Sequence, residues 1–264
     1  MRIAAVALLL AACASTPDGA LHVDDGGRGA ALPVVFVHGN GASSAQWRAQ
    51  LDHLRLSRRA VAYDLRGMGQ SAVSPLGDYS LDAMVSDLEA VTRRRGLQRF
   101  VLVAHSYGGA VAATYAARHP ERVAGLVFVD STGSVNISEE NAAKFEDAIR
   151  ANKDRVVAGW FAPILKPSSP DVQEAVLASV RNTNTDAFVG ALAGLRSFDM
   201  RAVLDAYPGP RLAIAAADIE SPASFHMQFP EVPVRKISGA GHWLMLDRPE
   251  ELNRVLDEFL TTQR

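Results

Sequence analysis

Val103-Ala104-His105-Ser106-Tyr107-Gly108-Gly109 is the stretch that decides the fold. The apolar run 100–103 before it reads as a buried strand. It delivers a serine straight into a glycine pair and then into a helix rich in small residues (Ala110, Ala112, Ala113, Ala116, Ala117) that ends at His119-Pro120. A strand, a serine on a sharp turn and a close-lying helix make a nucleophile elbow, where crowded, strained backbone pushes the serine hydroxyl into solvent and only small neighbours fit. Ser106 is therefore the expected nucleophile. The usual pattern is Gly-x-Ser-x-Gly; Ala104 takes the first position here, and alanine is the next smallest side chain.

Working outward, short apolar β-rich runs at 34–37, 60–63, 100–103, 126–129, 212–215 and 234–237 alternate with helix-period stretches. Leu81, Met84, Val85, Leu88 and Val91 repeat at helical spacing behind a Ser80 cap, and Leu252, Val255, Leu256, Phe259 and Leu260 do so after Pro249. Strands alternating with helices predict an α/β fold, a mostly parallel sheet with helices on both faces. Residues 15–264 are read as one such domain. From about 131 to 207 the rhythm breaks into amphipathic helical pieces with an interruption between Pro163 and Pro170 and no strand, which predicts a helical lid inserted over the sheet's carboxyl edge. Trp160, Phe161, Phe188, Leu192, Leu195, Phe198 and Met200 of this insert, with Trp243, are candidates to line an apolar substrate cavity, although residues at helical spacing also serve to pack the insert itself.

With 264 residues, 48% of them hydrophobic and 21% charged, the chain can bury a large core. A net charge of -2, with no extended basic run, speaks against a nucleic-acid partner. The single cysteine, Cys13, excludes an internal disulfide framework and a cysteine-based zinc site. Met1-Arg2 followed by an apolar stretch to Ala12 has the length of a signal-peptide core, too short to span a bilayer. Leu10-Ala11-Ala12-Cys13 resembles the bacterial lipobox, so residues 1–14 are read as a lipoprotein-type signal segment with Cys13 lipidated. The expectation is an exported protein of the cell envelope, held at the membrane by its acylated N-terminus. Ala12-Cys13-Ala14 also fits ordinary signal cleavage, which would leave the protein periplasmic or secreted.

A serine hydroxyl is a poor nucleophile at neutral pH; it needs a base in reach, an acid to orient that base, and donors for the developing oxyanion. His242, in the loop Ser238-Gly239-Ala240-Gly241-His242-Trp243 after the last strand, is the expected base. His22, His53, His119 and His226 read as surface or packing residues. The acid should fall between nucleophile and base in chain order, at the carboxyl end of a strand. Asp218 is favoured, Asp130 at the end of the preceding strand is the alternative, and Glu220 ranks third. The oxyanion should meet the backbone N–H groups of Tyr107 and of Asn40, the latter in the loop His38-Gly39-Asn40-Gly41. This machinery needs neither metal nor organic cofactor.

These residues make the chain similar to the α/β-hydrolase family, in particular its lidded single-domain members, across about residues 20–264. The resemblance is carried by His38-Gly39-Asn40-Gly41, Asp64-Leu65-Arg66-Gly67-Met68-Gly69-Gln70-Ser71, the Ser106 elbow and Gly241-His242, in that order. It implies a small-molecule substrate and a carboxylesterase-like serine hydrolase working through an acyl-enzyme. Cofactor-free perhydrolysis and carbon–carbon bond hydrolysis run on the same triad, and a non-catalytic ligand-binding member of the fold is the competing class. Epoxide hydrolases and haloalkane dehalogenases of this fold attack through aspartate, which Ser106 argues against. The segment around Asp64 is read as a structural brace. The chain departs from the family pattern at Ala104, at Ala215-Ala216-Ala217 where a glycine usually precedes the acid, and in the short run before Leu21, which implies a shortened leading hairpin.

Overall fold

The computed structural model describes residues 21–263 except 136 and 220. The segment read as an export signal, with Cys13, and Glu220 lie outside the described residues. Seven strands form one sheet: β1 (Val23–Gly26), β2 (Val34–Val37), β3 (Ala60–Tyr63), β4 (Phe100–His105), β5 (Val123–Val129), β6 (Arg211–Ala216) and β7 (Val234–Ile237). Their spatial order is β1-β3-β2-β4-β5-β6-β7. Only β1 runs antiparallel, paired to β3 with Val23 opposite Tyr63. Among the described residues β1 is the one strand before β2, and its weakly apolar Val-Asp-Asp-Gly composition carries no strand signal.

Alternation of side chains along the strands divides the core in two. Val35, Val37, Leu102 and Ala104 face one layer, where they meet α2 (Leu81–Arg94), α3 (Gly108–Arg118) and α7 (Met200–Asp205). Val34, Phe36, Val101 and Val103 face the other, where they meet α1 (Arg48–Leu54), α9 (Leu244–Asp247) and α10 (Pro249–Thr261). Near-continuous burial on both faces accounts for the unbroken apolar runs of β2, β4 and β5. The segment around Asp64 is a brace, as read. Asp64 accepts from the N–H groups of Ser44 (2.6 Å) and Gln70 (2.7 Å), and Arg66 makes a two-pronged ion pair with buried Asp87.

Between β5 and β6 lie α4 (Glu139–Leu165), α5 (Pro170–Asn182), α6 (Thr185–Ala193) and α7. Each starts behind a side-chain cap, respectively Ser138, Ser169, Asn184 and Asp199, which explains why the insert forms discrete helices. The interruption read between Pro163 and Pro170 is the joint between α4, which ends at Leu165, and α5, which starts at Pro170; α4 also holds a break of its own. It falls at Asn152, which leaves helical geometry (φ -159°, ψ 80°) and whose Oδ1 then caps the continuing helix through the Arg155 N–H at 3.1 Å. The last helix before β7, α8 (Phe225–Gln228), follows the β6 loop.

Candidate active site

The strand order turns back between β2 and β4: the chain leaves β2 to one side, for β3, and β4 lies on the other. Connections diverge there and leave a crevice at the carboxyl ends. The loops 38–41 and 106–109 flank it. Ser106 has φ +51°, a conformation a non-glycine residue adopts only where the surroundings enforce it. The enforcement is visible in its neighbours. A Cβ on Gly108 would lie 2.6 Å from the His38 carbonyl oxygen, and one on Gly109 would lie 2.6 Å from Ser131 Oγ. Ala104 needs no glycine, because it is an ordinary β4 residue in register with Val37, with its side chain in the core.

His242 lines the same cavity as Ser106. Its Nδ1–H donates to Asp130 Oδ2 at 2.6 Å, leaving Nε2 for the serine. The expectation that Asp218 meets His242 is corrected here: Asp218 Oδ2 instead accepts the Gly239 N–H at 2.7 Å and tethers the start of the histidine loop. Sheet geometry gives the reason. Asp130 follows β5, the neighbour of β4, and His105 pairs with Val129, so Ser106 and Asp130 leave adjacent strands side by side. β6 is one strand further out, roughly another 5 Å. Asp130 has φ +40°; among the described residues, it and Ser106 are the two non-glycine residues with positive φ. Its second oxygen accepts the Ala216 N–H at 3.1 Å, fixing the carboxylate across two strands.

Two buried histidines hold the scaffold. His38 donates from Nδ1 to the Gly39 carbonyl (2.7 Å) and accepts the Leu65 N–H on Nε2 (2.9 Å). His105 donates from Nε2 to the His242 carbonyl (3.0 Å), joining elbow to histidine loop. Burial lowers the pKa of His38 below 6.5. Burial, and then the proximity of His242, hold His105 well below it. Both stay neutral in the fold, whereas the unfolded chain protonates them below 6.5, so the unfolded state binds more protons and stability must fall with falling pH there. Chemical-denaturation midpoints should be level above about pH 7.5 and decline between about pH 6.5 and 5. Each histidine contributes up to about 1.4 kcal/mol per pH unit, so His105→Gln should reduce that slope by about this amount. A slope identical to wild type would refute the neutral state of His105.

The loop 38–41 reaches both the elbow and the lid. Gly39 packs so closely on Ser106 that a Cβ there would sit 3.0 Å from the serine Cβ, and Asn40 Nδ2 donates to the Phe188 carbonyl of α6 at 2.9 Å. Tyr107 stands at the N-terminus of α3, where backbone N–H groups are free to face developing negative charge. Lid, loops and elbow enclose a cavity of about 510 Å³. Trp160, Phe161, Leu192, Leu195 and Trp243 line it, whereas Phe188, Phe198 and Met200 pack in the cores. Aromatic contacts run from Trp160 to Phe161 (5.0 Å between centroids), to Trp243 (5.3 Å) and to His242 (4.9 Å). The histidine loop is also tied to the lid: the His242 N–H donates to the Ile164 carbonyl at 3.1 Å, and Asp247 Oδ2 accepts from both Ser168 Oγ (2.7 Å) and the Gly241 N–H (2.8 Å). Sequence reading missed the charged lining residues Glu146 and Arg196, which carry no motif. Among the described residues no cluster of His, Cys, Asp and Glu could hold a metal ion.

A seven-stranded, mostly parallel sheet with a serine elbow at its switch point and a helical lid over it defines a class of hydrolases. The chain belongs to the alpha/beta hydrolase fold family, whose model matches residues 33–170. It is 26% identical to epoxide hydrolase 3 of Xenopus tropicalis, over 86% of this chain and 71% of that one. It is 27% identical to a haloalkane dehalogenase of Agrobacterium fabrum, over 91% of this chain and 88% of that one. Among solved structures, a thermophilic esterase from Thermogutta terrifontis superposes with a TM-score of 0.80 at 26% identity, covering 91% of this chain and 93% of that one.

Proposed function

We propose that the protein hydrolyses carboxylic esters through an acyl-enzyme on Ser106. The observation that carries this reading is the pairing of two strained residues on adjacent strand ends, Ser106 at φ +51° and Asp130 at φ +40°, with His242 bonded to the second and in the same cavity as the first. Ser106 Oγ attacks the ester carbonyl as His242 Nε2 takes its proton. The backbone N–H groups of Tyr107 and Asn40 stabilise the oxyanion. The intermediate then expels the alcohol, protonated by His242, and water, activated by the same histidine, releases the acid. Asp130 holds the imidazole with its proton on Nδ1 and stabilises the imidazolium. Epoxide hydrolase and haloalkane dehalogenase are names of relatives; serine in place of the aspartate nucleophile of those enzymes favours acyl transfer for this chain. The cavity, apolar over most of its lining, suits a small-molecule ester. With the lipobox reading of Cys13, the activity belongs at the cell envelope.

A fluorophosphonate is expected to modify the protein once, at Ser106, with loss of p-nitrophenyl ester hydrolysis in step with labelling. Peptide mapping after labelling is the check. An inert protein across acyl lengths from acetate to decanoate, with no adduct at Ser106, would end this reading.

A further inference from the structure

Glu146 of α4 and Arg196, beyond the end of α6, form an ion pair in the cavity wall, with Glu146 15% and Arg196 32% exposed. Apart from the Asp130–His242 pair, no other acid–base pair among the described residues lines that cavity, whose remaining wall is largely apolar, including Phe145, Trp160, Phe161 and Leu192. An ion pair drawn partly out of water offers little stability over well-packed apolar side chains of the same volume, so a wall built only to enclose hydrocarbon has no use for one. The Nε of Arg196 is moreover buried without a hydrogen-bond partner, an orphaned donor of the kind that costs free energy unless something accepts from it. Because Glu146 already neutralises the guanidinium, a second carboxylate would be repelled as strongly as it is attracted. The complementary group is a neutral acceptor, such as a ketone or amide carbonyl.

Resting on the esterase reading of Ser106, we infer that Arg196 determines specificity, and that the substrate is an ester whose apolar body carries a second, uncharged carbonyl oxygen that accepts a hydrogen bond from the Arg196 guanidinium. A site built to hydrogen-bond such a group discriminates against analogues lacking it far more than an apolar pocket discriminates by size.

The test separates binding from turnover. Ser106→Ala protein is titrated with p-nitrophenyl 5-oxohexanoate, p-nitrophenyl hexanoate and the mono-p-nitrophenyl ester of adipic acid, followed by the fluorescence of the cavity tryptophans Trp160 and Trp243. The keto ester is expected to bind about tenfold more tightly than either of the others. Adding Arg196→Met should erase that preference while leaving the hexanoate Kd within about twofold, and Glu146→Gln should instead strengthen binding of the anionic adipate ester by about tenfold. A preference that survives Arg196→Met, equal binding of all three esters, or tightest binding of the adipate ester by the parent overturns the inference. A purely structural ion pair would lower the melting temperature of both variants and leave the Kd ratios unmoved, which also overturns it. With Ser106 restored, kcat/KM on the same esters separates the two readings. An Arg196-dependent binding preference without hydrolysis of any ester removes the esterase reading and keeps only the recognition of an uncharged carbonyl by Arg196; hydrolysis of all three at equal kcat/KM with equal Kd does the reverse.

Discussion

Alanine at position 106 is expected to lower kcat for ester hydrolysis by on the order of 10⁶-fold while the Kd for uncleaved ester stays within a few-fold of wild type. The substitution removes one oxygen and leaves the elbow intact, since the strained φ of +51° is imposed by Gly108 and Gly109 packing on the His38 carbonyl and Ser131 rather than by the serine hydroxyl. What survives is oxyanion stabilisation and binding, which alone still exceed the reaction in water by several orders of magnitude. His242→Ala should cost nearly as much, and the double variant scarcely more than either single one, because nucleophile and base act as a unit. Single-turnover kinetics with p-nitrophenyl esters, alongside fluorophosphonate labelling, measure all three. Retention of more than about one per cent of wild-type turnover by Ser106→Ala would move the nucleophile elsewhere.

The sheet was legible because burial leaves a mark on composition. β2, β3 and β7 fall on the runs 34–37, 60–63 and 234–237 read from apolar, β-branched content, and β4, β5 and β6 extend beyond theirs by one to three residues. β1 was not legible: as an antiparallel edge strand of Val-Asp-Asp-Gly, it is held by pairing to β3, and by Arg55 and Arg59 meeting Asp24 and Asp25, rather than by apolar burial. The lid was legible as an absence of strands, and so was its joint between Pro163 and Pro170, but the break inside α4 was not. Proline lacks an N–H, and α4 stops two residues after Pro163, whereas the break at Asn152, whose side chain caps the next segment, carries no such mark.

The candidate site divides in the same way. Residues that act through backbone strain sit in motifs, so Ser106, the glycines beside it and the loop 38–41 could be read from one chain. The carboxylate could not, since any strand of an α/β sheet can end in aspartate and chain order permits two of them. What separates Asp130 from Asp218 is lateral position in the sheet, a property of strand order that neither local run encodes. Glu146 and Arg196 were invisible for a related reason: one is on α4 and the other in the turn after α6, and only the tertiary fold brings these distant charges to a common wall.

Exchange of Asp130 for asparagine should therefore cost about 10⁴-fold in kcat, and the same exchange at Asp218 less than about threefold. Asparagine is close in shape to aspartate and tolerates positive φ, so the backbone at φ +40° is not the variable. Its Oδ1 can still accept the Ala216 N–H, which turns the amide NH₂ toward His242 Nδ1. An N–H aimed at Nδ1 forces that nitrogen to be the acceptor and moves the proton to Nε2, where it blocks proton transfer from Ser106. At Asp218 the carboxylate accepts only a backbone N–H, from Gly239, and an asparagine oxygen can do the same, so His242 keeps its tautomer. Activity of Asp130→Asn should rise as hydroxide replaces the missing base, so its kcat should keep climbing with pH where wild type has reached a plateau. Steady-state rates of both variants from about pH 6 to 10 decide the matter. The opposite ranking, with Asp218→Asn the more impaired, would return the role to the later carboxylate and require the loop 238–242 to rearrange during turnover.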